Sequence, residues 1–166
     1  MPRHEPGYAV KIGINAGPAV VGNVGAEKRY NYTAVGETVN IASRLESVPG
    51  DYGCHVVVGA ATADAIGDPF VLNELDWVKV KGKEEAIAVY ELVAEKDRAN
   101  PAVLAYPVQY HSALEEYRAG RFAEAEKDWR RHVAHPYIAE HLPPLVMAER
   151  AAALPPTRRL TGTACM

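Results

Sequence analysis

Only two of the 166 residues are cysteine, Cys54 and Cys165, and neither sits in a metal-ligand spacing. A disulfide scaffold is excluded, and both read as free thiols of a reducing compartment. A basic excess is also missing: 18 lysines and arginines face 21 aspartates and glutamates, for a net charge of -3. Sequence-independent binding of a nucleic-acid backbone is therefore not expected, and any phosphate must be held locally. No apolar run approaches the roughly 20 residues of a membrane-spanning helix, and Met-Pro-Arg-His-Glu at the start lacks the hydrophobic stretch of a secretory signal. The expected location is the cytoplasm. What is present is ordinary globular composition, 48% hydrophobic and 23% charged, sufficient for one buried core.

Along the chain, Ala9 to Asn15 is rich in strand formers, and Gly17-Pro18 separates it from the apolar run Ala19 to Val21, a pattern that predicts a hairpin. Gly22, Gly25 and the polar stretch Ala26 to Asn31 predict a loop, followed by a short strand from Tyr32 to Val35. A helix is expected after Gly36, with Glu37 and Thr38 suited to its N-terminus and Pro49-Gly50 as its stop. His55 to Val58 reads as a strand, Ala60 to Ile66 as a short helix ended by Gly67, Val71 to Leu75 and Trp77 to Val80 as strands, Lys81-Gly82-Lys83 as a turn and Ala86 to Leu92 as a closing strand. The fold class is α+β.

The strand signal ends near residue 95, so residues 1–95 are expected to form one unit and 96–105 a linker. Residues 106–154 form a helical tail: an amphipathic helix from Gln109 to Arg118, a turn at Gly120-Arg121, a helix from Phe122 to Val133, and a third after Pro143-Pro144, from Leu145 to Leu154. The first two resemble a single tetratricopeptide-type hairpin. The end, 155–166, has the composition of a disordered segment. His111, His132, His135 and His141 are irregularly spaced and read as surface histidines, not as metal ligands, while Trp77 and Trp129 read as core or interface anchors.

The densest pattern lies between Val10 and Glu46: Lys-Ile-Gly-Ile-Asn-Ala-Gly, then Val-Val-Gly-Asn-Val-Gly, then the run Tyr32 to Glu46. That run contains Gly36-Glu37-Thr38-Val39-Asn40-Ile41-Ala42-Ser43-Arg44, which resembles the Gly-x-x-Val-Asn-x-Ala-x-Arg signature of class III adenylate and guanylate cyclases. Trp77 to Lys83 falls where that family has its Val-Lys-Gly-Lys turn, so the resemblance spans residues 8–93, the C-terminal half of a bacterial-type catalytic domain. It implies a partial ferredoxin-like cyclase fold and conversion of ATP to 3′,5′-cyclic AMP and diphosphate.

Attack of the ribose 3′-hydroxyl on the α-phosphate shifts negative charge onto phosphate oxygens, which a planar guanidinium matches. The resemblance assigns that role to Arg44 and orientation of the ribose to Asn40, one helical turn earlier. Without the signature, Asn and Arg at this spacing are more often a solvated helix face. Thr33 stands where the family contacts the purine, and its hydroxyl can accept a hydrogen bond from the adenine amino group or donate to a guanine carbonyl; adenine is favoured. Lys81 matches the family's phosphate lysine, with Lys79 and Lys83 as alternatives, and the glycines serve backbone geometry.

The family's metal aspartates and its purine-reading lysine lie upstream of this region; the acidic residues before the first strand amount to Glu5. Mg²⁺ or Mn²⁺ is therefore expected in the intact enzyme with ligands outside this chain, which itself holds no metal. Since the family site is built at a dimer interface, a homodimer or a cyclase partner subunit would supply the aspartates, and the chain alone would be inactive. Its sheet should have an unpaired edge. A start codon placed inside a longer gene fits the mid-domain entry, and an upstream segment can carry a membrane anchor. The alternative is a non-catalytic half-domain that pairs with or regulates an intact cyclase.

Overall fold

In the computed structural model, residues 10–26, 29–79, 86–133 and 142–155 are described. Strands β1 (Ile12–Ile14), β4 (Val56–Gly59), β5 (Phe70–Lys79) and β6 (Ala86–Glu95) form a mixed sheet in the order β1-β4-β6-β5, and β2 (Val20–Ala26) pairs with β3 (Arg29–Val35) in a separate two-stranded sheet. Helices α1 (Glu37–Leu45), α2 (Val48–Tyr52) and α3 (Ala60–Ile66) are interleaved with the strands, and α4 (Pro101–Arg118), α5 (Phe122–Val133) and α6 (Pro143–Ala152) follow them. The class is α+β, as expected.

The expected hairpin joining β1 to the next apolar run does not form. Instead β1 lies parallel to β4, with the Ile12 N–H donating to the His55 carbonyl at 2.9 Å. Gly17, at φ 156°, and donorless Pro18 redirect the chain without reversing it. The hairpin is β2 with β3, and much of the expected loop is strand. Among the described residues β1 has no partner on its outer edge. Helix α1 ends at Leu45, before Pro49-Gly50; those two residues lie in α2, where Pro49 occupies the first turn and gives up no hydrogen bond.

Strand β5 runs unbroken through the gap expected at Asp76, but with an extra residue there. Glu74 pairs with Tyr90 and Asp76 with Val89, so Leu75 is a β-bulge. The bulge changes which side chains face the helices: Val71, Asn73 and Leu75 are buried before it, Asp76 and Val78 after it.

Helix α4 begins at Pro101, eight residues earlier than the expected Gln109. Asn100 caps it, its Oδ1 accepting from the Ala102 and Val103 N–H groups at 2.9 and 3.0 Å, and Pro101 supplies a first residue that needs no donor. Tyr106, Tyr110, Ala113, Leu114 and Tyr117 form its buried stripe. The stripe joins Trp129 of α5 and Met147 of α6 to Leu45, Val57, Leu75 and Val89 in one core. Trp129, fully buried, lies 5.6 and 5.7 Å from the Tyr110 and Tyr117 rings. Trp77 is half-exposed, with the Arg118 guanidinium 4.5 Å above its ring. Residues 156–166, with Cys165, and His135 and His141 lie outside the described residues. Cys54 is a free, buried thiol whose pKa burial pushes up to about 12, which disfavours the thiolate.

Asp76, Tyr52 and Arg150 are paired across the sheet–helix boundary of this core, whereas Trp129 Nε1 and Asn73 Oδ1 are buried without a hydrogen-bond partner among the described residues. Asp76 Oδ2 accepts from Tyr52 Oη at 3.1 Å and from Arg150 Nη1 at 3.4 Å, while its Oδ1 accepts from the Trp77 N–H at 2.8 Å. Burial outweighs these contacts and raises the Asp76 carboxyl above the ordinary range. Breaking a buried ion pair strands the remaining charge at a cost of roughly 3–5 kcal/mol. The Arg150 side chain is 31% exposed, so Arg150→Met is expected to lower unfolding stability by about 2 kcal/mol in urea titration, and adding Asp76→Asn to restore most of it.

The pH dependence follows from the same carboxyl. Folding raises its pKa, so the native state holds that proton more tightly than the unfolded chain does. Its contribution is full below the unfolded pKa and is lost as pH rises through the raised value. Asp76→Asn is expected to flatten this decline in a titration from about pH 4 to about pH 8; an unchanged slope would assign the decline to other groups.

Candidate active site

The signature residues lie where β3 runs directly into α1. Gly36 joins them at φ 155°, a conformation that favours glycine, and its carbonyl accepts from the Asn40 N–H at 3.2 Å, starting the helix. Ile41 and Leu45 are the buried positions of α1. Asn40 and Arg44, one turn apart, are exposed beside that stripe. Thr33 is also exposed, on β3 opposite Gly22, and α1 packs against the same strand. The structure thus presents all three side chains to solvent on two contiguous elements. Lys81 and Lys83 lie outside the described residues, as does Glu5; Lys79 is exposed at the end of β5.

Two residues that the sequence did not single out as supports hold α1. Asn15 Nδ2 donates to the Thr38 carbonyl at 3.3 Å. Gly13 lies directly beneath the end of the helix, where an added Cβ would run into the backbone of Leu45 and Glu46. Both belong to the Lys-Ile-Gly-Ile-Asn-Ala-Gly stretch, whose strand character was legible although its contact with a helix was not. At the other end, Ser47 Oγ donates to the Arg44 carbonyl at 2.8 Å and the Ser47 N–H donates to it at 3.2 Å, closing the last turn.

Among the described residues no group of three or more His, Cys, Asp or Glu gathers where it could hold a metal ion. By themselves these residues do not form a divalent-metal site. Their chemistry is that of an anion-facing, hydrogen-bonding surface: a guanidinium, a carboxamide and a hydroxyl. His111 lies beside Glu74 and Glu115 on the surface, and burial lowers the pKa of His132.

Residues 2–94 match the family model of the adenylate and guanylate cyclase catalytic domain. The chain belongs to this family. Adenylate cyclase 1 of Rhizobium meliloti (strain 1021) is 43% identical over 88 residues, which are 53% of this chain and 13% of that protein. The adenylate cyclase of Anabaena cylindrica is 41% identical over 92 residues, 54% of this chain and 18% of that one. The chain therefore spans less than a fifth of either of these two relatives. The crystal structure of the adenylyl cyclase CyaB from P. aeruginosa is 32% identical, with a TM-score of 0.45, covering 53% of this chain and 44% of that chain. The family model ends at residue 94, before α4, so the tail helices lie beyond that model. No helix among the described residues is long and apolar enough to cross a membrane.

Because α1 rests on Gly13, Gly13→Ala is expected to push the helix outward and cost about 1–3 kcal/mol in denaturant titration. Gly22→Ala is the matched control, since nothing lies within 4 Å of its added Cβ. Equal stability of the two variants would remove Gly13 as the seat of the helix.

Proposed function

We propose that this chain supplies the transition-state and purine-binding half of an adenylate cyclase, in which ATP is converted to 3′,5′-cyclic AMP and diphosphate. The observation that carries the reading is the exposed Asn40 and Arg44 pair, one turn apart on α1, with Thr33 exposed on β3, the strand that leads into that helix, inside the segment that matches the cyclase family. The 3′-oxygen bonds to the α-phosphorus as the bond to the β-phosphate bridging oxygen breaks. The Arg44 guanidinium is placed to meet the charge that gathers on the phosphate oxygens, and the Asn40 carboxamide to orient the ribose. Thr33 selects adenine by accepting from its amino group. Lys81 is assigned to the terminal phosphates.

The complementary half comes from a second copy or a partner cyclase subunit. That half carries the metal carboxylates for Mg²⁺ or Mn²⁺, which the described residues lack. Matched relatives named adenylate cyclases support ATP as substrate. In the full-length protein, Asn40→Ala and Arg44→Ala are each expected to lower cyclic AMP turnover by roughly two orders of magnitude. Near-normal turnover in either variant refutes its assignment. Thr33→Ala is expected to move the ATP/GTP ratio of kcat/KM toward unity, and an unchanged ratio removes it as the purine reader.

A further inference from the structure

Two of the tail helices that lie outside the family model, α4 and α6, hydrogen-bond to four consecutive residues of β5. Asn73 Nδ2 donates to Tyr106 Oη of α4 at 3.1 Å, and Arg118 Nη2 of the same helix donates to Glu74 Oε1 at 2.7 Å. Tyr110 Oη donates to the Leu75 carbonyl at the bulge, at 3.3 Å. Arg150 of α6 reaches Asp76. Arg150 also reaches further: its Nη1 donates to Tyr52 Oη at 3.2 Å, and its guanidinium lies 4.9 Å over the Tyr52 ring. Tyr52 ends α2, and Leu142, just before α6, packs on Gly53, where an added Cβ would meet it.

From α2 the path to the signature helix is short. Only Glu46 and Ser47 separate α1 from α2, and Leu45 and Val48 on either side are each 1% exposed. Ser47 holds the Arg44 carbonyl with both its hydroxyl and its N–H. A joint anchored in this way does not let the two short helices move independently, so the placement of Tyr52 constrains the last turn of α1.

We infer that Arg150 is a positioning residue for the cyclase site: through Tyr52 and α2 it fixes the orientation of α1, so the C-terminal helices are part of the active-site scaffold and not an appendage. This rests on the reading of α1 as the helix that carries the transition-state residues. Arg150 touches no substrate, and its effect falls on the geometry of Asn40 and Arg44, which matters most in the transition state.

The test uses the full-length protein at a temperature where every variant is folded, with two readouts: kcat and KM for ATP, and hydrogen–deuterium exchange of the α1 amides. Arg150→Met is expected to lower kcat about tenfold with KM nearly unchanged, to speed exchange across α1, and to leave β4 protected. Arg150→Lys, which retains the charge, is expected to recover part of both. The decisive variant is Asp76→Asn with Arg150→Met, which regains stability but not the contact with Tyr52. If it keeps the low kcat and the fast α1 exchange, positioning stands. If kcat and exchange return with stability, Arg150 acts only on folding and the inference is overturned. Should the wild type form no cyclic nucleotide, the cyclase reading fails, and the exchange of α1 still decides whether Arg150 restrains that helix.

Discussion

One extra residue in β5 determines how the two parts of this chain fit together. Without the Leu75 bulge, strict alternation would keep burying the odd-numbered side chains beyond Leu75, placing Trp77 inward and Asp76 and Val78 outward. With it, Leu75 and Asp76 both face the helices. The carboxylate then meets Tyr52 and Arg150, and the Leu75 carbonyl receives the Tyr110 hydroxyl. A bulge disturbs the ladder, and here the disturbance is satisfied by helices that come later in the chain. Sheet and tail consequently share a core in which Leu75, Tyr110 and Trp129 are each fully buried.

That shared core sets the character of the candidate site. A polar side chain that is to remain open to a ligand stays at the surface, since burying a charged group is costly. Arg44 and Asn40 are accordingly outside, on a helix whose other face is pinned by Ile41, Leu45, Gly13 and Asn15. Precision comes from the buried face and reactivity from the exposed one. Much of the exposed aliphatic surface lies on two strands, Ile12 and Ile14 on β1 and Val20, Val21 and Val24 on β2.

Element types were largely legible, while partners and one helix start were not. The short helix Ala60–Ile66 and the α5 span agree with their pattern, because Gly67 and the Gly120-Arg121 turn are local signals that no distant contact overrides. The partner of β1 was misread. Strand propensity identifies a strand but not its neighbour, and β4, more than forty residues away, competes with the adjacent apolar run. Helix α4 starts ahead of its apolar pattern because Asn100-Pro101, which resembles linker chemistry, makes a cap and a first turn.

From the sequence by itself came the α+β class, the family, and the candidacy of Asn40, Arg44 and Thr33, because these rest on residue type at fixed short spacing along one strand and one helix. Tertiary structure alone decided that Gly13 seats α1, that Leu75 is a bulge, and that Tyr52, Asp76 and Arg150 meet. Those three lie 24 and 74 residues apart, and no periodicity links them. Their association depends on which faces are left to bury once the sheet has formed, a global property of packing that a local pattern does not encode.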